Sequence, residues 1–289
     1  MTVCIAALCE ERKALVLATD RMVRSTRFGT EAEFHKTWRL HKDWWLMLAG
    51  DDVAPAFDII DAVKKKLDGQ DRFSVDDVER AVTESHREKR AAEAEAKYLI
   101  PRGWTLDRFS SSASTILPEP LCLSLDNDLQ SYGLDIELLI AGFDAEGRAH
   151  VFSVNDDDNR GAARRHDVPG FFAIGCGSPG AYFMMMYRAM NPSVPIRWGI
   201  FHVLEAKHFG ALVPGVGPGT DMYVLRHRKA TIQVQEKMIE SKLIRFCRDL
   251  EPPTLTQKHV SALNQIGGID FRGIKKLSTV PQNRSTTKR

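Results

Sequence analysis

Apolar residues fall into short runs at the start of the chain and into longer periodic stretches after it. Four runs occupy residues 2–50: Thr2-Val3-Cys4-Ile5-Ala6-Ala7-Leu8-Cys9, Val16-Leu17-Ala18-Thr19-Asp20, Phe34-His35-Lys36 and Trp44-Trp45-Leu46-Met47-Leu48-Ala49-Gly50. Runs of this length between charged turns predict four β-strands. Val53, Ala56, Phe57, Ile60, Val63 and Leu67 then recur at helical spacing, which predicts a helix over 52–67 stopped by Asp68-Gly69. Ser74 and Asp77 form a capping-box pattern that starts a second helix reaching about Lys97. Its second half is nearly all charged or alanine, and a solvated extension is preferred there over a contact to a neighbouring subunit.

Residues 98–135 show no sustained period. Pro101-Arg102-Gly103-Trp104, Ser110-Ser111-Ser112, Pro118-Glu119-Pro120 and Asp126-Asn127-Asp128 read as turns, so an insertion without regular structure is expected, either functional or poorly ordered. Strand patterns return at 136–143 and 148–154 around the turn Asp144-Ala145-Glu146-Gly147, a hairpin that makes the sheet at least partly antiparallel. Phe171-Phe172-Ala173-Ile174 predicts another strand, followed by Gly175-Cys176-Gly177-Ser178-Pro179-Gly180 and a helix over 181–190. Tyr182, Met184, Met185, Met186, Tyr187 and Met190 read as the core face of a helix buried between layers. A helix over 196–209, a turn and strand within 213–225, a strand at 230–234 and a helix over 236–250 complete the ordered part, which Pro252-Pro253 stops.

The expected organisation is one domain over 1–250 and a polar, basic, disordered tail over 251–289, where Lys275-Lys276, Arg284 and Lys288-Arg289 follow the last acid, Asp270. Hairpins, two helices, strands again and two more helices fit stacked antiparallel sheets with helices outside, an α/β sandwich.

Composition narrows the functional classes. A net charge of +2 over 289 residues, with basic residues spread along the chain, makes nucleic acid an unlikely main partner. Cys4, Cys9, Cys122, Cys176 and Cys247 form no CxxC pair, and their odd number argues for a reducing, cytoplasmic setting. The run Ala6-Ala7-Leu8-Cys9 lacks the basic segment of a lipoprotein signal, and no run approaches membrane-spanning length. His202 and His208 lack ligand spacing, no HExxH is present, and no metal or other cofactor is assigned.

The first fifty residues also carry candidate chemistry. Removal of Met1 would leave Thr2 with a hydroxyl and a free α-amine of unperturbed pKa about 7.7 to 8, so one residue could supply both nucleophile and base. Alone, Thr2 reads more readily as the first residue of a strand, where threonine is favoured in any case. Asp20 and Lys36, sixteen positions apart, can be brought together by two neighbouring strands. The lysine would favour the neutral amine, and the aspartate would orient the lysine. Gly50 ends the fourth run, where its N–H could hold an oxyanion.

Thr2-Val3-Cys4-Ile5-Ala6, Val16-Leu17-Ala18-Thr19-Asp20-Arg21, Lys36 and Leu48-Ala49-Gly50 resemble the proteasome β-subunit group of N-terminal-nucleophile hydrolases. Within that group the Met-Thr-x-Cys opening is most similar to the bacterial Anbu branch, with HslV another relative. The resemblance extends to Leu139-Ile140-Ala141-Gly142-Phe143-Asp144 and covers about residues 2–250 apart from the insertion. It implies a four-layer αββα fold, Thr2 as nucleophile and base, Asp20 and Lys36 in support, and Gly50 as oxyanion donor. It also implies a peptide or unfolded-protein substrate, like subunits in a ring or spiral, and a possible ATP-dependent unfoldase. The longer spacing from Thr2 to Asp20 would be absorbed by a longer first turn at Glu10-Glu11-Arg12-Lys13.

Gly175-Cys176-Gly177-Ser178-Pro179-Gly180 fits a dinucleotide-binding G-x-G-x-x-G literally, but antiparallel hairpins precede it and Pro179 removes a phosphate-binding amide. It is more similar to the family's Gly-Ser-Gly-Ser turn, with Cys176 in place of the first serine and Ser178 as the second, which supports the terminal amine. Val213 and Val216 depart from the family pattern: with Asp221 aligned to the usual acid, they occupy the places of an aspartate and a serine. The leading expectation is a threonine-type endopeptidase or amidohydrolase. The alternatives are a catalytically inactive subunit kept for assembly and an acylase of small amides.

Overall fold

The structure, a computed structural model, describes residues 2–24, 29–31, 35–156, 160–229 and 231–234. In chain order it has β1 (Cys4–Cys9), β2 (Ala14–Asp20), β3 (Met22–Arg24), β4 (Gly29–Glu31), β5 (Thr37–His41) and β6 (Trp44–Gly50). Helices α1 (Ala54–Lys66), α2 (Val75–Ala94), α3 (Leu106–Ile116) and α4 (Glu119–Ser131) follow. Then come β7 (Ile136–Phe143), β8 (Ala149–Asn155), β9 (Ala163–Arg165), β10 (Phe171–Ile174), α5 (Ser178–Tyr187), α6 (Ile196–Gly210), β11 (Thr220–Arg226) and β12 (Ile232–Gln233). The helix expected over 236–250, the basic tail, Phe34 and Cys247 lie outside the described residues.

Two five-stranded sheets form, in the orders β10-β1-β2-β11-β12 and β5-β6-β7-β8-β9, and β3 pairs with β4 separately. Every strand pair among the described residues is antiparallel, which removes the parallel βαβ context that a dinucleotide-binding turn needs.

Period-two side-chain placement builds the layers. Cys4, Ala6, Leu8, Leu15 and Leu17 of the first sheet meet Met47, Ala49, Leu139, Ala141 and Val151 of the second. The alternate residues Leu46, Leu48, Leu138, Ile140 and Phe152 pack instead on Ala56, Ile59, Ile60 and Val63 of α1 and Val78 and Val82 of α2. Helices α5 and α6 cover the other face of the first sheet. They lie so close that a Cβ on Gly199 would stand 2.3 Å from Cys9 Sγ. The architecture is thus a four-layer αββα sandwich, and both faces of β1 and β2 are covered, which is why these strands are apolar at every position. A one-residue slip in either strand would exchange the two layers, so register is strongly specified.

Three expectations are corrected. First, the insertion is helical. Phe109 and Ala113 of α3 and Leu125 of α4 pack with Leu99 and Trp104 in a small separate core. Pro118 precedes α4 and Pro120 sits in its first turn, where a missing N–H costs nothing, so these prolines start a helix instead of forming a loop. Second, the charged half of α2 is not simply solvated. His86 and Ala94 are buried, and Arg90 donates to Tyr132 O and Gln130 O, tying the helix to the end of the insertion. Third, α5 is apolar on both sides but buried on one. Ala181, Met184 and Met185 face inward while Phe183, Met186 and Tyr187 are exposed.

The first hairpin turn spans Glu10, Glu11, Arg12 and Lys13, with Glu10, Glu11 and Arg12 all at positive φ (53°, 56° and 66°). Three left-handed non-glycine residues persist because the turn is held from outside. Glu11 N–H donates to Pro192 O, and Arg12 O accepts the Ala149 N–H, each at 2.8 Å. The Arg12 guanidinium enters a buried cluster in which His150 Nδ1 lies 2.8 Å from Asp167 Oδ2 and His150 Nε2 2.9 Å from Asp144 Oδ2. Burial opposes protonation of His150, as does Arg12, but the hydrogen bonds to Asp167 and Asp144 outweigh both and raise its pKa. Burial acts to raise Asp167 and Asp144, yet their hydrogen bonds, led by those to His150, hold both below the ordinary carboxylate value.

The raised histidine stabilises the fold fully below its unfolded pKa of about 6.5, and that contribution is lost as pH rises through the folded value. The depressed carboxylates stabilise it above about 4 and lose their contribution on acidification. His150→Gln is therefore expected to lower the urea midpoint more at pH 5.5 than at pH 8; an equal loss at both would disprove the assignment.

Candidate active site

Six strand ends meet at one edge of the sandwich. Thr2 leads into β1, Asp20 ends β2, Lys36 leads into β5, Gly50 ends β6, Ile136 and Glu137 open β7, and β10 ends beside Gly175. The registers Cys4↔Thr19, Cys4↔Ile174 and Gly50↔Ile136 bring these ends level.

Asp20 is fully buried at this edge. Its Oδ1 accepts from Val3 N–H at 3.0 Å and from Lys36 Nζ at 2.9 Å. Its Oδ2 accepts from the N–H groups of Met22 at 3.0 Å and Gly217 at 3.2 Å. Four donors fill the acceptor capacity of the carboxylate and fix its position. Lys36, also buried, donates in addition to Thr2 Oγ1 at 2.6 Å. Asp20 and Lys36 come from opposite sheets, not from neighbouring strands of one sheet. The chain Asp20–Lys36–Thr2 closes across the sandwich.

The main chain of Thr2 is gripped by the turn after β10. Gly177 N–H donates to Thr2 O at 3.1 Å. The exposed Cys176 accepts the Thr2 N–H at Sγ, 3.3 Å away, and its S–H faces Thr2 O at 3.6 Å. In the intact chain that nitrogen is the Met1–Thr2 amide, and loss of Met1 converts the same atom into the α-amine. Gly175 has φ +87°, and a Cβ there would lie 2.4 Å from Thr2 O, so only glycine admits this approach. Ser178 opens α5, half-buried, with its N–H on Gly175 O at 2.9 Å.

A cavity of about 390 Å³ opens at Thr2, lined also by Ala49, Gly50, Ile136, Gly175 and Cys176. Gly50 thus shares the cavity with Thr2, whereas Ser178 is not part of its lining. A Cβ on Gly50 would meet Asp135 O at 2.7 Å, so this strand end too is tied to glycine. Among the described residues no group of three or more His, Cys, Asp or Glu has the arrangement of a metal site.

The two cysteines of β1, Cys4 near Thr2 and Cys9 at the far end of the strand, are not rival nucleophiles. Burial pushes the Cys4 thiol far above its usual range, and its S–H donates to Leu48 O at 3.4 Å. Cys9 is pushed up to about 12, again by burial.

Sequence reasoning missed two contributors. Glu137 lines the cavity and receives Gly175 N–H at 3.3 Å on both carboxylate oxygens. Its signal was visible, being the one charged residue inside the apolar run 136–143. Gly217 acts through its backbone N–H, which no side-chain comparison reveals. Val213 and Val216 leave the 213–219 segment without polar side chains toward Thr2, yet the segment reaches the cluster through that amide. Asp221 is engaged elsewhere, accepting from Arg21 Nε at 2.7 Å and lying 2.9 Å from His35 Nδ1.

Fold and site define a four-layer αββα protein with a threonine, a lysine and an aspartate hydrogen-bonded in series beside a cavity. No protein-family model matches the chain, and no curated protein matches it significantly. No described helix is long and apolar enough to cross a membrane.

Proposed function

We propose that this chain is a proteasome-like N-terminal-threonine hydrolase of peptide amide bonds, similar to the Anbu and HslV branch. The observation that carries the reading is the contact between Lys36 Nζ and Thr2 Oγ1, 2.6 Å, where Thr2 and Gly50 line one cavity. With Met1 removed, Thr2 Oγ attacks the substrate carbonyl carbon while its proton passes to the α-amine. The Lys36 ammonium holds the oxygen in place, and Gly50 N–H is the donor assigned to the oxyanion. Collapse breaks the C–N bond, the amine proton leaves with the departing nitrogen, and water hydrolyses the resulting ester. Cys176 positions the amine from its sulfur. Ser178 is assigned no direct role in this scheme. The substrates are peptides or unfolded protein. Exposed Phe183, Met186 and Tyr187 of α5 support packing against a like subunit.

The test is intact mass before and after incubation with a peptide epoxyketone, which reacts with both the hydroxyl and the free amine of an N-terminal nucleophile. The expected result is loss of Met1 and one adduct on Thr2, absent in Thr2→Ala. Retention of Met1 with no adduct on the folded protein would overturn the hydrolase reading and favour an assembly role. That second reading has its own support in Val213, Val216 and the engagement of Asp221 by Arg21 and His35.

A further inference from the structure

Lys207 takes no part in that scheme, yet it is nearly shut off from water. It lies on α6 with 1% of its surface exposed. Its Nζ donates to two successive main-chain carbonyls, Gly217 O at 2.8 Å and Pro218 O at 2.6 Å. A buried ammonium is costly to desolvate, and a methionine would fill much of the same space without that cost. What the charge supplies is a hold on the backbone of the 213–219 turn.

The composition of that turn makes such a hold necessary. Valine, proline and glycine are its only residue types, so no side chain in it can donate or accept a hydrogen bond. Gly215, Gly217 and Gly219 leave its backbone many conformations to choose from. Within the turn, Val216 N–H closes on Val213 O at 3.2 Å, and the Thr220 hydroxyl reaches Pro218 O only at 3.4 Å. Both Lys207 bonds are shorter than these, and both are charge-assisted.

Gly217 connects this anchor to the site. Its carbonyl is on Lys207, and its N–H is on Asp20 Oδ2 at 3.2 Å. Asp20 places Lys36 Nζ at 2.9 Å, and Lys36 places Thr2 Oγ1 at 2.6 Å. We infer that Lys207 is a positioning residue for Thr2. By clamping Gly217 O and Pro218 O it keeps the Gly217 N–H on Asp20, in place of the side-chain support that Val213 and Val216 cannot give. The inference rests on the hydrolase reading for what Thr2 does, but not for the hold on the turn. Lys207 is not part of the lining of the Thr2 cavity, so it acts through the turn and not on a substrate.

The experiment compares the full chain with its Lys207→Met variant, and uses Glu205→Gln as a control that loosens the same helix at its pair with Arg188. Labelling by a peptide epoxyketone is followed over a range of reagent concentrations, to separate the saturating rate from the half-saturating concentration. In Lys207→Met the rate is expected to fall about tenfold or more with half-saturation unchanged, and in Glu205→Gln to stay. The second readout is the Gly217 amide itself. Val216-Gly217 is the one Val–Gly pair in the sequence, so valine labelled with ¹³C at the carbonyl and glycine labelled with ¹⁵N select that single signal. Its proton is expected downfield, as for a bond to a carboxylate, and should move upfield in Lys207→Met alone. Should Lys207→Met not fold, Lys207→Gln, which keeps an amide donor and loses the charge, is expected to move both readouts in the same directions.

A Gly217 signal that stays in place when Lys207 is changed would overturn the inference, and so would equal slowing by Glu205→Gln. A rise in half-saturation in place of the fall in rate would put Lys207 on the reagent and overturn it too. Failure of both Lys207 variants to fold would make the lysine a folding residue only. The two readings fail separately. No adduct on the unsubstituted chain, with a Gly217 signal that moves in Lys207→Met, overturns the hydrolase and keeps the hold on the turn. Labelling of the unsubstituted chain and of Lys207→Met at the same rate keeps the hydrolase and overturns the positioning role.

Discussion

Asp20→Ala is expected to cost about 3–5 kcal/mol of folding stability, more than Lys36→Met at the other end of the same buried pair. The asymmetry follows from what each truncation leaves behind. Without Lys36, the Asp20 carboxylate keeps the N–H groups of Val3, Met22 and Gly217, so its negative charge remains solvated by the backbone. The loss is then that of hydrogen bonds to a charged group, about 1.5–3 kcal/mol. Without Asp20, three backbone N–H donors, two of them buried, lose their acceptor together, and the Lys36 ammonium is left on the neutral Thr2 hydroxyl. Urea unfolding of both single variants and of the double variant checks this. A Lys36→Met loss equal to that of Asp20→Ala would show that the backbone donors contribute little. Reactivity should follow a different order from stability: both variants are expected to slow epoxyketone labelling at least about 100-fold, because the hydroxyl loses its oriented ammonium in either case.

The same contrast between side-chain and backbone contributions explains what was legible in the sequence. The strands around Thr2, Asp20 and Gly50 could be read because apolar runs and their turns are local properties, and the capping box at Ser74 and Asp77 is local as well. The pairing of Asp20 with Lys36 was legible as chemistry, but not as a bond between two sheets, since sheet membership depends on packing far along the chain. The insertion was misread because Pro118 and Pro120 act at a helix start, and Ser110, Ser111 and Ser112 lie within a helix whose only buried side chains are Phe109 and Ala113. Two apolar anchors give too little periodicity to reveal it. The outward face of α5 was misread for the opposite reason, because its composition is apolar on both sides and cannot say which side is covered. The part played by Gly217 was out of reach, being made where the 213–219 turn meets the end of β2.

Gly175→Ala should remove both the reactivity and much of the stability of the site, and Gly69→Ala provides the matched control. Both glycines sit at φ +87°, so alanine carries the same left-handed backbone cost at each, roughly 1–2 kcal/mol. They differ in what a Cβ would meet. At Gly69 nothing lies within 4 Å, whereas at Gly175 the new atom would stand 2.4 Å from Thr2 O and 2.9 Å from Thr2 C. Those are backbone atoms, and they cannot rotate away as a side chain could. Thr2 or the turn must shift, and the shift breaks the contacts of Thr2 with Cys176 and Gly177. A misplacement of about 1 Å at a nucleophile costs about 100-fold in rate. The expected outcome is therefore a modest stability loss with full labelling for Gly69→Ala. For Gly175→Ala, a stability loss larger by about 1–3 kcal/mol is expected, with labelling reduced 100-fold or more. Equal losses in the two variants, with labelling intact in both, would mean that the turn after β10 does not set the position of Thr2. In that case the Lys36 contact alone would have to hold the hydroxyl, and the assignment of Cys176 as the group that positions the amine would fall with it.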